Sequence, residues 1–158
     1  MQNFGQEIEA MMGEILEVSA EIIAEEATEY YKERFEEKEW NGVKWEPAKH
    51  PPSRGSLMLR STELMTSVKP AEVTPTRVVI RAGDNSKVTY ARVHNEGFEG
   101  DVNVNPFTRV VKGKQQDVRA HTRHMRTPKR QFMGETEELD ERILNRIGNY
   151  IESISNNE

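Results

Sequence analysis

Between Asn3 and about Lys38 the chain repeats apolar residues at intervals of three and four, at Phe4, Ile8, Met11, Met12, Ile15, Val18, Ile22 and Ile23, with no proline to interrupt them. That spacing places one apolar stripe along an amphipathic helix. Asn3, with Gln6 three residues on, reads as a capping box that satisfies backbone N–H groups at the helix start. Some 35 residues at 1.5 Å each make a rod of roughly 50 Å. A small domain cannot cover so long a stripe, so part of it is expected to pack on a neighbouring molecule, while the portion near Tyr30, Tyr31 and Phe35 fits an ordinary core helix.

The rest of the chain fits an α+β domain of 158 residues. Helix propensity ends at Trp40-Asn41-Gly42, and the stretch through Trp45, Pro47, Pro51, Pro52 and Gly55 reads as an irregular loop whose tryptophans cover the edge of the core. Residues 56–66 read as a short helix burying Leu57, Leu59, Leu64 and Met65 in part. From Ser67 the period changes to two, and SVKPAEV and TPTRVVIRAG read as adjacent strands with Pro75 at the turn. Val88 to Asn95 reads as a short helix or strand ending at Gly97. VNVNPFTRVV and QQDVRAHTRHM then form a long exposed hairpin around Gly113. A loop over 128–134 leads to a last helix over 135–155, with Leu139, Ile143, Leu144, Ile147, Tyr150 and Ile151 facing inward. The expected layout is thus a long helix over 1–39, a β-rich middle over 40–134 and a C-terminal helix over 135–155, all in one domain.

Charge is segregated along this layout. The net formal charge of −5 divides into −9 over residues 1–40, +9 over 41–134 and −5 over 135–158. Such a dipolar chain is suited to meet charged partners, including its own copies. The densest positive stretch holds Arg109, Lys112, Lys114, Arg119, Arg123, Arg126, Lys129 and Arg130, opposed only by Asp117. Two readings stand side by side. In one the hairpin faces DNA phosphates. In the other, the favoured one, it docks on an acidic protein surface such as the glutamate-rich helix of an adjacent subunit. No aromatic residue alternates with these cations, so the stacking platform of single-strand binders is missing.

Catalytic and metal-binding classes find little support. There is no cysteine, which rules out disulfides and thiolate ligands. GxSxG, HExxH, Gly-rich phosphate loops and GxGxxG are all absent. His121 and His124 sit among Arg119, Arg123 and Arg126, cations that would oppose a metal ion, and His94 near Glu96 reads as structural. No enzymatic activity, cofactor or metal is expected. The first ten residues are polar and acidic where a secretory signal would be basic and then apolar, and no apolar run approaches the ~20 residues of a membrane span. The expectation is a protein made in the bacterial cytoplasm, with no membrane partner.

Three segments, in order, resemble the phage virion-morphogenesis or tail-completion proteins of contractile-tailed phages and Mu-like prophages. In EWNGVKWEPAK and GSLMLRSTELMTSV, the residues Gly42, Trp45, Leu59, Leu64 and Ser67 match the family pattern; VTYARVHNEG matches it at Tyr90, Ala91, His94 and Gly97; MRTPKRQFMG matches it at Pro128, Arg130, Phe132 and Gly134. Glu63 stands where the family usually has glycine, and the segment between Gly97 and Pro128 does not align. The resemblance implies an assembly protein of tail completion or head–tail joining, without cofactor or catalytic residue, whose matched residues serve the fold. Trp45, Tyr90 and Phe132 suit core positions, and Arg130 suits a bridge to carboxylates or carbonyls. With the apolar stripe and split charge, the expected form is a ring of copies at the neck of the virion. Its expected partners are portal or connector proteins and tail-tube or tail-terminator proteins, with DNA in the channel as a further partner. The stripe residues Ile8, Met11, Met12 and Ile15 and the hairpin cations Arg109 to Arg126 are the expected contact residues.

Overall fold

A computed structural model of the chain describes residues 3–84 and 86–156. Helix α1 (Phe4–Glu37) is 34 residues long, about 50 Å of rod. The Asn3 side chain caps it by accepting from the Gly5 N–H, 3.4 Å away. Gln6 approaches through its backbone N–H to the Asn3 carbonyl, at 2.8 Å, so the reciprocal capping box is not formed. At the other end Lys38 adopts a left-handed conformation (φ 58°) and its N–H returns to the Arg34 carbonyl.

A short hairpin follows, β1 (Glu39–Trp40) with β2 (Val43–Lys44). Asn41 and Gly42, with φ of 48° and 75°, form its turn, which matches the positive angles that tight two-residue hairpins need. The irregular loop expected here therefore begins only after this hairpin. The helix expected over 56–66 is also shorter. Only α2 (Glu63–Thr66) is helical, because Gly55, Met58 and Thr62 take positive φ and break the turn repeatedly.

Strands β3 (Lys69–Thr74) and β4 (Arg77–Arg81) pair antiparallel across the expected turn at Pro75, with a bulge between Pro70 and Glu72. The segment left open between helix and strand is helix α3 (Ala91–Glu96), stopped by Gly97 at φ 78°.

Next comes an arm. Strand β5 (Phe98–Val104) pairs with β8 (His121–Thr127), and β6 (Phe107–Val111) pairs with β7 (Lys114–Val118). Val104 faces His121 and Phe107 faces Val118, so one register runs through both ladders, interrupted only at Asn105–Pro106 and Arg119–Ala120. Pro106 has no N–H to donate, which accounts for the gap. From Phe98 to the turn at Lys112–Gly113 the arm holds roughly 45 Å of strand. All of β6 and all but the last residue of β7 are exposed.

Helix α4 (Glu137–Ser155) lies antiparallel on α1: Tyr30 meets Glu138, Glu26 meets Arg142 and Glu25 meets Arg146. Its 19 residues span about 28 Å, a little over half the length of α1. Leu139 is buried, and Ile143, Ile147 and Tyr150 are half-buried as expected. Leu144 (68% exposed) and Ile151, seven residues apart, look outward instead. A seven-residue interval is two turns, so both fall on one face, rotated away from α1.

Two apolar clusters, bridged by Tyr31 and Ile80, make up the core. One gathers Phe35, Trp45, Leu64, Val68, Val88, Ala91 and Phe132; the other gathers Ala27, Tyr30, Trp40 and Leu139. Both tryptophans are buried within these clusters rather than at their margin. The Phe35 ring meets Trp45 edge-on at 5.9 Å and Phe132 at 4.8 Å, separations typical of favourable aromatic pairs. No helix among the described residues is long and apolar enough to cross a membrane.

Candidate functional site

Three places collect the residues singled out in the sequence: a cavity beside α3, the exposed half of α1, and the arm. The cavity holds about 510 Å3. The loop over 48–62 supplies Pro52, Leu57, Met58 and Arg60 to its wall, and Leu64, Tyr90, His94 and Arg130 complete it.

Arg130 is fixed from behind. Its Nε donates to the Glu46 carbonyl at 3.0 Å and its Nη2 to the Pro47 carbonyl at 3.5 Å, so it bridges carbonyls as expected. Burial lowers its affinity for the proton, against the attraction of Glu46. Arg126 reaches the same residue from the arm and makes a two-pronged pair with the Glu46 carboxylate at 3.2 and 3.4 Å. Glu46 thereby ties the arm's base to the body.

His94 is placed by α3. Burial, and then the charge of Arg130, push its pKa below the ordinary histidine value. Its Nδ1 is buried without a hydrogen-bond partner among the described residues. Tyr90 stands edge-on to it at 5.7 Å. The tyrosine itself is 36% exposed, so the expected core position is corrected to one on the cavity rim. It is the N-cap residue, one ahead of the buried Ala91. Glu96 is turned away and binds Arg92 at 2.9 Å. The Ser61 and Thr62 hydroxyls donate to Glu63 and to a backbone carbonyl. The lining can grip apolar or anionic groups.

One residue passed over in the sequence organises this region. The Asn95 Oδ1 accepts from the backbone N–H groups of Phe132 and Met133 at 2.9 and 3.0 Å, and its Nδ2 donates to the Met133 carbonyl at 3.2 Å. Phe132 is thus lowered into the core beneath the cavity. Gly97 lets the chain pass close by: a Cβ there would come within 3.0 Å of the Lys129 nitrogen. Asn95, beside a histidine in a six-residue helix, gave no periodic signal.

The profile of the phage virion morphogenesis family matches residues 2–152. The chain belongs to the phage virion morphogenesis family. Its role is accordingly in the assembly of phage virions, within a family of structural and assembly proteins. No curated protein and no solved structure matches it. The family's motif residues named above group by task in this structure. Trp45, Leu64, Ala91 and Phe132 fill the core, Gly42 and Gly97 turn the chain, and Tyr90, His94 and Arg130 line the cavity.

On α1 the first four turns look outward. Phe4 is 75% exposed, and Ile8, Met11, Met12 and Leu16 are exposed too, with Ile15 half-buried. Buried positions begin at Ala20. Beyond that point three of the helix's glutamates bind arginines of α4. Glu33 takes both Arg142 Nη atoms at 2.7 and 3.1 Å, Glu26 takes Arg142 and Arg146, and Glu25 takes Arg146. The Arg142 guanidinium holds the Glu33 carboxyl below the usual range. The Tyr30 ring lies 4.2 Å from the buried Arg34 and 5.5 Å from Arg142.

Along the arm, Lys112, Lys114, Arg119 and Arg123 have no ion-pair partner among the described residues. Arg109 bonds Gln116, and Asp117 accepts from Thr108 at 2.7 Å. His121 and His124, three apart on a strand, fall on opposite faces. His124 sits between Asp101 at 3.1 Å and Glu99 at 3.6 Å, while His121 meets the Arg119 carbonyl.

Proposed function

We propose that this protein acts in tail completion, joining head to tail at the neck of the virion as a ring of its own copies between portal-connector and tail-tube or tail-terminator proteins. The observation that carries this reading is the uncovered half of α1. Five large apolar side chains follow one another over four turns, each at least 40% exposed. A contiguous apolar surface of that kind marks a protein contact, and head-to-tail contacts between like subunits whose rotation closes produce rings. Family membership supports an assembly role for whatever covers it.

The test is a phage lacking the protein. Filled heads and finished tails that accumulate unjoined, and join when purified protein is added, are the expected result. Joined, infectious particles in its absence would overturn the reading.

A second reading, in which the arm contacts DNA in the channel, draws on the unpaired cations Lys112, Lys114, Arg119 and Arg123. Filter binding separates the two. Submicromolar DNA affinity at physiological salt, lost when Arg119, Arg123 and Arg126 become Ala, would favour DNA.

A further inference from the structure

Two surfaces of this chain are left open, and they are opposite in kind. On α1 the exposed apolar stripe from Phe4 to Leu16 is flanked by Glu7, Glu9 and Glu14, with Glu17 on the far side of the helix, and the first cation in the helix is Lys32. None of these four glutamates has an ion-pair partner among the described residues. On the distal arm, β6 and β7 expose Phe107, Val110 and Val111 together with Arg109, Lys112 and Lys114. The one acid there, Asp117, is engaged by Thr108.

We infer that the distal arm of one copy lies across the first four turns of α1 in the next, pairing its basic, apolar hairpin with their acidic, apolar stripe. This rests on the ring reading above and names the contact that builds it. The sizes agree: Phe4 to Leu16 spans about 20 Å of helix, and each five-residue strand of the tip spans roughly 17 Å. The signs agree as well, and apolar groups on both sides are removed from water together. Glu25, Glu26 and Glu33 are already bound by Arg142 and Arg146, whereas Glu7, Glu9 and Glu14 stand beside the uncovered stripe with no ion pair among the described residues. Within one chain both surfaces stay exposed. The arm is rooted beside Phe132, which packs on Phe35, 31 residues along α1 from Phe4, or about 45 Å. A contact between unlike surfaces on successive copies propagates head to tail.

The test uses the full chain with its charges exchanged. Arg109→Glu with Lys112→Glu and Lys114→Glu should weaken self-association at least tenfold by sedimentation, and Glu7→Lys with Glu9→Lys and Glu14→Lys should do the same. All six together should restore it, and wild-type association should weaken as salt rises. All these sites are exposed, and circular dichroism checks the fold of each variant. Because the chain has no cysteine, Met11→Cys and Val111→Cys chains, the latter on the hairpin face of Arg109 and Lys114, can be mixed under mild oxidation, and a covalent dimer between the two is expected. An assembly that survives arm reversal, or forms no such cross-link, overturns this contact while leaving the ring in place. A cross-link formed only inside a doubly substituted monomer overturns it in favour of folding back on itself. A wild-type chain that never associates removes both this contact and the ring, and loss of DNA binding alone on arm reversal assigns the arm to DNA.

Discussion

Asn95 shows how one side chain can hold two distant segments. It accepts two backbone N–H groups and returns a donor to the same loop, so Asn95→Ala leaves Phe132 and Met133 with partly buried, unpaired donors. A loss of about 2 kcal/mol in urea unfolding is expected, with Asn95→Asp milder because it keeps the acceptor. His94 sets a pH dependence. Its folded pKa is depressed by burial and by Arg130, whereas the unfolded chain titrates near 6.5. The unfolded state therefore binds the proton first, and the stability tied to a neutral His94 is full above about pH 6.5 and is lost as pH falls below it. The melting temperature should drop more between about pH 7.5 and about 5.5 in the wild type than in His94→Gln. An equal drop in both would show that His94 is not the sensor. Much at this scale was legible beforehand. Trp45, Phe132 and Arg130 stand where their chemistry implies, while Tyr90 does not, because nothing in an aromatic residue beside Ala91 tells which side of the backbone it leaves. Asn95 escaped because a capping amide matters through a loop that only the folded chain brings to it.

Among the elements, α1 was readable because 34 residues of unbroken three-and-four spacing have no alternative. The hairpin at Asn41-Gly42 carried its signal in that dipeptide, but strands of two residues are too short for periodicity to register. The helix expected over 56–66 failed because apolar content alone does not exclude repeated left-handed residues. The face of α4 was set by a tertiary contact. Arg142 and Arg146 turn toward the glutamates of α1, and Leu144 and Ile151 rotate outward in consequence. The arm was legible as a hairpin, and its independence from the core is now testable. Val104 faces His121 in register, so residues 105–120 can be replaced by Asn-Gly to give a two-residue turn. Since β6 and β7 are exposed, the shortened chain should unfold within about 0.5 kcal/mol of the wild type. A larger loss would mean that the distal arm supports the body.

For the whole molecule, charge segregation proved partly internal. Glu25, Glu26 and Glu33 of α1 are answered by arginines of α4, a pairing that net charge per segment conceals because α4 is itself acidic overall. What remains outward is an acidic apolar helix end and a basic arm, and ring formation requires the helix end to be a surface for other copies. The direct measurement is the mass of the purified chain by light scattering over a wide concentration range. A multi-subunit assembly is expected, falling to the 18.2 kDa monomer in Ile8→Glu with Met12→Glu while the circular dichroism spectrum is kept. A wild-type chain that stays at 18.2 kDa at every concentration would contradict it.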